Sequence, residues 1–302
     1  MKQDEIKYIV TTIDENYVQH CIVMLTSLFS NNKEDKFHVF ILSNSLSPNS
    51  IKAIARFFKL KRNSFSRFQI DELLLKDAPV YGHVSLATYY RLLIPTILPQ
   101  NIDRVLFIDC DIIINGSISV FWEKDILNYS HISVENGGDN SPFIKKIEMK
   151  IESKYFNAGV MLINIKWWRE NNVFNKSIDF LKFNSEKITF WDQDVLNAIL
   201  ENKWLEFPLK YNAQSYLFGK SIDMDNLSYE ELDAINNPLI VHFTGGGDSK
   251  PWHYNNQHPY KKVYQYFLYK TSFKHVLPIG TPVLIKLSLR DKFYLFRNKN
   301  KN

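Results

Sequence analysis

"VLFIDCDIIING", Val105–Gly116, decides how the chain is read. Val105 to Ile108 have the form of a strand entering a core, and Ile112 to Ile114 continue it. Between them stand two carboxylates, Asp109 and Asp111, separated by Cys110. Side chains alternate along an extended chain, so both acids project to one side and Cys110 to the other. Two residues of strand span roughly 6.6 Å, which lets both carboxylates meet one cation. Parallel sheets bind ligands at the carboxyl ends of their strands, and two acids converging there repel unless something positive neutralises them. A divalent metal does so most simply, and a pair of solvated strand-end acids is the plain alternative.

Upstream of this stretch the pattern is strand, helix, strand, helix. "KYIVTT" (7–12) reads as a buried strand and "ENYVQHCIVMLTSLFSNN" (15–32) as a helix with apolar residues at helical spacing. "KFHVFILSN" (36–44) is the next strand. "SPNSIKAIARFFKL" (47–60) is the next helix, capped by Ser47 with Pro48 in its first turn, and "SFSRFQI" (64–70) is a third strand. Such alternation predicts right-handed crossovers and a mostly parallel sheet able to hold a nucleotide. "SLATYYRLLIPTIL" (85–98) reads as helical until Pro95.

Downstream, "SVFWEKD" is a short helix, "HISVE" a strand, and "YFNAGVMLINIKWWRE" (155–170) a strand running into a helix. "DQDVLNAIL" (192–200) is a helix opened by Asp192, "NPLIVHFT" (237–244) a final core strand, and "PYKKVYQYFLYK" (259–270) helical. No internal repeat interrupts this order. Residues 1–270 are therefore read as one α/β domain and 271–302 as an extension.

Composition bounds the function. Hydrophobic residues make up 45% of the 302, with only 10 Gly and 11 Pro, which excludes a linker-dominated or disordered chain. The start, "MKQDEIKYIVTTIDENY", carries charges where a signal peptide needs an apolar run, and no stretch approaches membrane-spanning length, so a cytoplasmic location is expected. Cys21 and Cys110 offer no disulfide framework and read as small core residues. Of the 37 Lys and Arg, six fall in residues 281–302 with a single acid, Asp291, so the net charge of +5 is the charge of the tail. Leu284, Ile285, Phe293, Tyr294 and Phe296 interleave with those cations. That composition settles on an anionic membrane surface, with a frayed solvated terminus as the bland alternative. The balanced main body gives nucleic acid no basic face.

Six motifs in order resemble the family 8 glycosyltransferases, the retaining enzymes that include bacterial lipopolysaccharide galactosyl- and glucosyltransferases and glycogenin. They are "TIDENY" (12–17), "HVSLATYYRLLI" (83–94), "FIDCDIII" (107–114), "FNAGVMLINIKWW" (156–168), "WDQDVLN" (191–197) and "HF…KPWH" (242–253). Haloacid-dehalogenase-like phosphatases also place D-x-D after an apolar strand, but on the first strand and with a continuation that Ile112 and Ile113 do not match.

The resemblance implies a GT-A type, Rossmann-like domain. It further implies that Asp109, Asp111 and His242 hold Mn2+, or Mg2+ in its place, against the phosphates of a UDP-sugar. Alone, His242 would read as a core-strand histidine. Thr12, Asp14, Asn16 and Tyr17 correspond to the uridine site, and His83 and Arg91 to positions near the phosphates and sugar. Asn157 and Asp192 correspond to residues that read sugar hydroxyls, Gln193 to the amide under the anomeric carbon, and Gly245 and Lys250 to the diphosphate loop. Glu135 is a candidate for an acid near the sugar. The function implied is transfer of glucose or galactose to a saccharide or lipid-linked saccharide acceptor at the inner face of a bacterial cytoplasmic membrane. A self-glucosylating primer like glycogenin and a sugar-nucleotide-binding module without activity are the alternatives.

Overall fold

The computed structural model describes residues 5–59, 62–82, 84–219 and 222–282. His83 and residues 283–302, which carry the cationic part of the tail, lie outside the described residues.

Among the described residues, ten strands form two sheets. They are β1 (Ile6–Ile13), β2 (Lys36–Ser43), β3 (Ser64–Gln69), β4 (Arg104–Ile108), β5 (Ile112–Ile114), β6 (His131–Glu135), β7 (Phe156–Asn164), β8 (Trp204–Glu206), β9 (Ala213–Gln214) and β10 (Ile240–His242). The central sheet has the order β3-β2-β1-β4-β7-β6-β8, and its neighbours are parallel except where β7 runs against β4 and β6. The expected α/β fold with a mostly parallel sheet is the one found. From β1 the chain builds outward through β2 and β3, then returns to add β4 on the other side. The switch in strand order therefore falls between β1 and β4, where an open α/β sheet leaves a crevice.

Alternation along the central strands divides two apolar layers. Ile9, Ile13, Leu106, Ile108, Val160 and Leu162 face one core with helix Val18–Asn31 and helix Pro48–Lys59. Val10, Val105, Phe107, Met161 and Ile163 face the other, packed on the turns and helices that contribute Tyr89, Trp168, Leu181 and Leu196. All nine residues of β7 are buried, as expected of a strand covered on both faces. Ser47 caps helix Pro48–Lys59 by accepting from Ser50 N at 3.2 Å.

Three segments differ from their sequence reading. Residues Leu86–Leu93 form a 3-10 helix, and Pro95 sits in the first turn of the short α-helix Ile94–Ile97, where its missing N–H costs nothing. The strand expected to run through residues 105–116 is two strands: β4 ends at Ile108, and β5 belongs to a second sheet of order β5-β10-β9. The 237–244 strand, read as part of the main core, also lies in this small sheet. Helix Val18–Asn31 wedges between the sheets. Its Ser27 Oγ accepts from Ile114 N at 2.9 Å, and Asn31 Nδ2 donates to Ile114 O at 2.8 Å, so polar side chains of an otherwise apolar helix satisfy the edge of β5.

Helix Lys261–Tyr269 covers the small sheet with Tyr264 and Phe267. The chain then folds back, with Ile279 N donating to Trp252 O and Tyr254 N to Ile279 O, both at 2.8 Å. No helix of the described residues is long and apolar enough to cross a membrane.

Candidate active site

Asp109, Cys110 and Asp111 are the corner by which the chain leaves one sheet for the other, and each acid is held by a ladder of its own. The antiparallel register Ile108↔Val160 continues as Asp109 N donating to Gly159 O at 2.9 Å. On the other side His242 pairs with Ile112, and one step further Phe243 N donates to Asp111 O at 3.0 Å. Sheet register thus delivers His242 beside Asp111. Cys110 turns the other way, with its Sγ 3.2 Å from Thr11 Oγ1. One ligand atom from each of Asp109, Asp111 and His242 lies within 4.8 Å of the others.

Gly159 makes this approach possible. A Cβ there would stand 2.3 Å from His242 Cε1 and 2.9 Å from Asp109 Oδ2, distances real side chains do not occupy. Two oxygens and one imidazole nitrogen converging on a space cleared by a glycine fit a divalent cation with a mixed hard donor set.

Opposite charges bracket the acids. Arg91 Nη2 donates to Asp109 Oδ1 at 2.8 Å, and its Nε lies 2.8 Å from Asp192 Oδ2. Its Nη1 donates to Ala158 O at 2.5 Å, and the guanidinium lies over the Phe107 ring. Lys250 pairs with Asp111 through Oδ2 and also donates to Phe243 O at 2.7 Å. The acids respond differently. Burial pushes the Asp109 carboxyl up, and Arg91 reverses only part of that. Burial also acts on Asp111, but Lys250 and His242 outweigh it and hold the carboxyl well below the usual range. Asp192 is raised by burial, against the pull of Arg91.

Helix Trp191–Ile199 places the amide. It starts from a left-handed residue, Trp191, with φ 46°. The helix read as opened by Asp192 starts one residue earlier, with Asp192 in its first turn, and Asp194 anchors the entry, with Oδ2 accepting from Thr189 N at 2.5 Å and Phe190 N at 2.6 Å. Asn197 engages both the N–H and the C=O of Phe156 at the start of β7. Docked this way, the helix brings Gln193 Oε1 to Ala158 N at 3.0 Å. It leaves Asp192 to accept from Thr88 Oγ1 at 2.5 Å and to meet Arg91.

These elements enclose a cleft of about 470 Å3. Of the residues expected at the site, Thr12, Asp14, Tyr17, Arg91, Asp109, Asp111, Asn157, Asp192, Gln193, His242, Gly245 and Lys250 line it. Asp14 also caps the turn Glu15–Tyr17 and accepts from Ser85 Oγ at 2.8 Å. Asn16 is exposed and outside the lining. Glu135 is turned to Lys154 at 3.4 Å, and the next residue, Asn136, lines the cleft in its place.

Sequence reasoning passed over Gly159, Asn136 and Asn212. A glycine inside the unbroken apolar run of β7 was the available signal for the first, since such a glycine marks a close approach. Asn136 stood one residue from the acid that drew attention. Nothing local marks Asn212.

Residues 8–256 match the profile of glycosyl transferase family 8. General stress protein A of Bacillus subtilis is 32% identical over 292 residues, covering 94% of this chain and 99% of that protein. The lipopolysaccharide 1,3-galactosyltransferase of Salmonella typhimurium is 32% identical over 270 residues, 85% of this chain and 75% of that one. Among solved structures, the galactosyltransferase LgtC in complex with donor and acceptor sugar analogs has the same fold, with a TM-score of 0.77 at 23% identity over 88% of this chain and 96% of that one. The resemblance carried by the six motifs is thus borne out over the whole α/β body, and the chain belongs to glycosyl transferase family 8.

Proposed function

We propose that the chain moves a hexose, glucose or galactose, from a UDP-sugar to a saccharide acceptor with retention at the anomeric carbon. One observation carries the reading: two carboxylates, an imidazole and a lysine ammonium converge on the wall of a cleft that opens at the switch in strand order. A donor diphosphate needs such a concentration of cation-holding groups. Mn2+, or Mg2+ in its place, would be held by Asp109, Asp111 and His242 and would supply, as a Lewis acid, positive charge for the departing diphosphate.

The remaining roles belong to the chain's own groups. Thr12, Asp14 and Tyr17 hold the uridine, with Asn16 at the rim; His83, outside the described residues, is assigned to the phosphates and sugar by the family resemblance alone. Lys250 exchanges Asp111 for a phosphate oxygen, and Gly245, at φ 91°, turns the backbone beside it. Arg91 fixes Asp109 and Asp192 from beneath, and Asn157 and Asp192 read sugar hydroxyls. UDP leaves readily, so no carboxylic acid has to protonate it as in a glycosidase. The acceptor hydroxyl attacks on the face from which UDP departs: its C–O bond forms as the bond to the phosphate oxygen breaks, and that oxygen takes the proton. Gln193, an amide and a feeble nucleophile, serves with the free lone pair of Oε1 to stabilise the positive anomeric centre.

The acceptor is read as a lipid-linked saccharide at the inner face of the cytoplasmic membrane. The Salmonella relative supports this by its name, and residues 271–302 support it as a membrane-associating extension of the 1–270 domain by their composition. A panel of UDP-sugars with Mn2+ and a lipooligosaccharide acceptor tests the reading. UDP release with one hexose donor, and an anomeric proton coupling in the product that matches the donor, are expected. An inverted product, or no UDP release from any donor, overturns it.

A further inference from the structure

His242 reaches the cation cluster through one ring nitrogen and the protein interior through the other, and the interior partner is Asn212. Its Oδ1 lies 2.9 Å from His242 Nδ1, and its Nδ2 lies 2.9 Å from Asn157 Oδ1. Asn212 is fully buried, and Asn157 and His242 nearly so. The direction of every bond in this chain follows from one group whose role is fixed. Gly159 N is a backbone amide and can only donate, and it does so to Asn157 Oδ1 at 3.0 Å. That atom of Asn157 is therefore the oxygen, and what Asn212 presents to it must be the NH2. The other end of Asn212, the carbonyl, then faces His242. An acceptor facing Nδ1 requires a proton on Nδ1, which leaves Nε2 of the neutral ring with its lone pair.

We infer that Asn212 is a positioning residue that holds His242 as the Nδ1–H tautomer and so turns the Nε2 lone pair toward Asp109 and Asp111. On the other side of the ring Nε2 lies 3.3 Å from Asp111 Oδ1, an edge at which a cation, or a proton in its absence, would stand between ring and carboxylate. Sheet register supplies the alignment, because Asn212 precedes β9 and β9 pairs Ala213 with Val241 and Gln214 with His242. The same Gly159 therefore clears space for the imidazole with its absent Cβ and sets the tautomer with its N–H. A partner on the far ring nitrogen fixes ring orientation and raises ligand basicity, and losing it costs about 10–100-fold in metal affinity.

The inference rests on the cation site proposed above, and two measurements separate the two. Long-range 15N–1H spectra of the histidine-labelled, metal-free full chain at pH 8 read the tautomer without any metal. The Nδ1–H pattern is expected for His242, and an Nε2–H pattern overturns the inference. Mn2+ titrations of the wild type, Asn212→Leu and Asn212→Asp follow. The leucine variant should bind about 10–100-fold more weakly, and the aspartate variant, which keeps an acceptor at Nδ1 and loses the donor to Asn157, should recover to within about threefold of wild type. Equal binding by the leucine variant, or an aspartate variant as weak as leucine, overturns the role of Asn212. A wild type that shows the Nδ1–H pattern and binds no Mn2+ overturns the cation site instead.

Discussion

Arg91 and Asp109 meet at 2.8 Å, Nη2 to Oδ1, and the same guanidinium takes Asp192 through Nε at 2.8 Å. One buried fork thus joins an acid of the metal cluster to an acid of the helix that carries Gln193. Lys250 performs the corresponding service for Asp111 from the opposite wall. The two cations are not equivalent. Arg91 is enclosed and further tied to Ala158 O, whereas Lys250 belongs to the loop that contains Gly245.

Arg91→Met should destabilise the fold by about 3 kcal/mol, because it leaves the buried Asp192 and the partly buried Asp109 without their shared partner. Arg91→Lys should recover little, since one ammonium cannot reproduce the planar fork between Asp109 and Asp192. Urea unfolding of the metal-free protein measures both. A loss under about 1 kcal/mol for the methionine variant would show that the fork is not structural.

Gly159→Ala should remove cation binding out of proportion to its size. The added methyl lies on His242 Cε1 and Asp109 Oδ2, so the imidazole and the carboxylate must move apart. Mn2+ affinity should fall at least about tenfold and stability by about 1–3 kcal/mol. Isothermal titration and urea unfolding of one preparation read the pair, and unchanged Mn2+ affinity would contradict the placement of the glycine.

The sequence made the pair Asp109 and Asp111 legible because an apolar run stands on either side of two acids one residue apart. It did not disclose that the strand changes sheets between them, since Ile112–Ile114 are as apolar for a small sheet as for a large one. The direction of β7 was also hidden: a strand buried on both faces has the same composition whether it runs with or against its neighbours. Arg91 was recognised as a site residue, but its hold on Asp109 and Asp192 depends on how a 3-10 turn aims one guanidinium. The tie between Asn212 and His242 exists only through the pairing of β9 with β10, across 30 residues of chain.

Lys250→Met should separate binding of the cation from turnover. Without the lysine, Asp111 loses a competitor, so Mn2+ binding to the nucleotide-free protein should be retained or strengthened. Turnover should drop by about 10²–10³, the usual cost of removing one group that stabilises developing charge. Weakened Mn2+ binding would mean that Lys250 supports the cluster rather than competes for it.

Gln193→Ala should leave UDP-sugar affinity nearly intact and slow transfer. The lost oxygen is fixed by Ala158 N–H and faces the cleft, so its proposed contribution arises only as the anomeric centre becomes positive. Donor titration and single-turnover rates are the readouts, and an unchanged rate removes Gln193 from the mechanism.

His131 provides a pH signature independent of the site. It is fully buried in β6, stacked on Trp204, and burial alone lowers its pKa from 6.5 to about 3. The unfolded chain protonates this ring near pH 6.5, and the folded chain does so only near pH 3. Below pH 6.5 the unfolded state therefore binds one more proton than the native state, and stability falls as pH decreases through that window. Each such proton is worth about 1.4 kcal/mol per pH unit. In His131→Gln the slope of unfolding free energy between pH 6 and 4.5 should flatten by about that amount, and taking the difference from wild type cancels the carboxylates that titrate in the same range. Identical slopes for wild type and variant would mean that the native state accepts the proton at His131 after all.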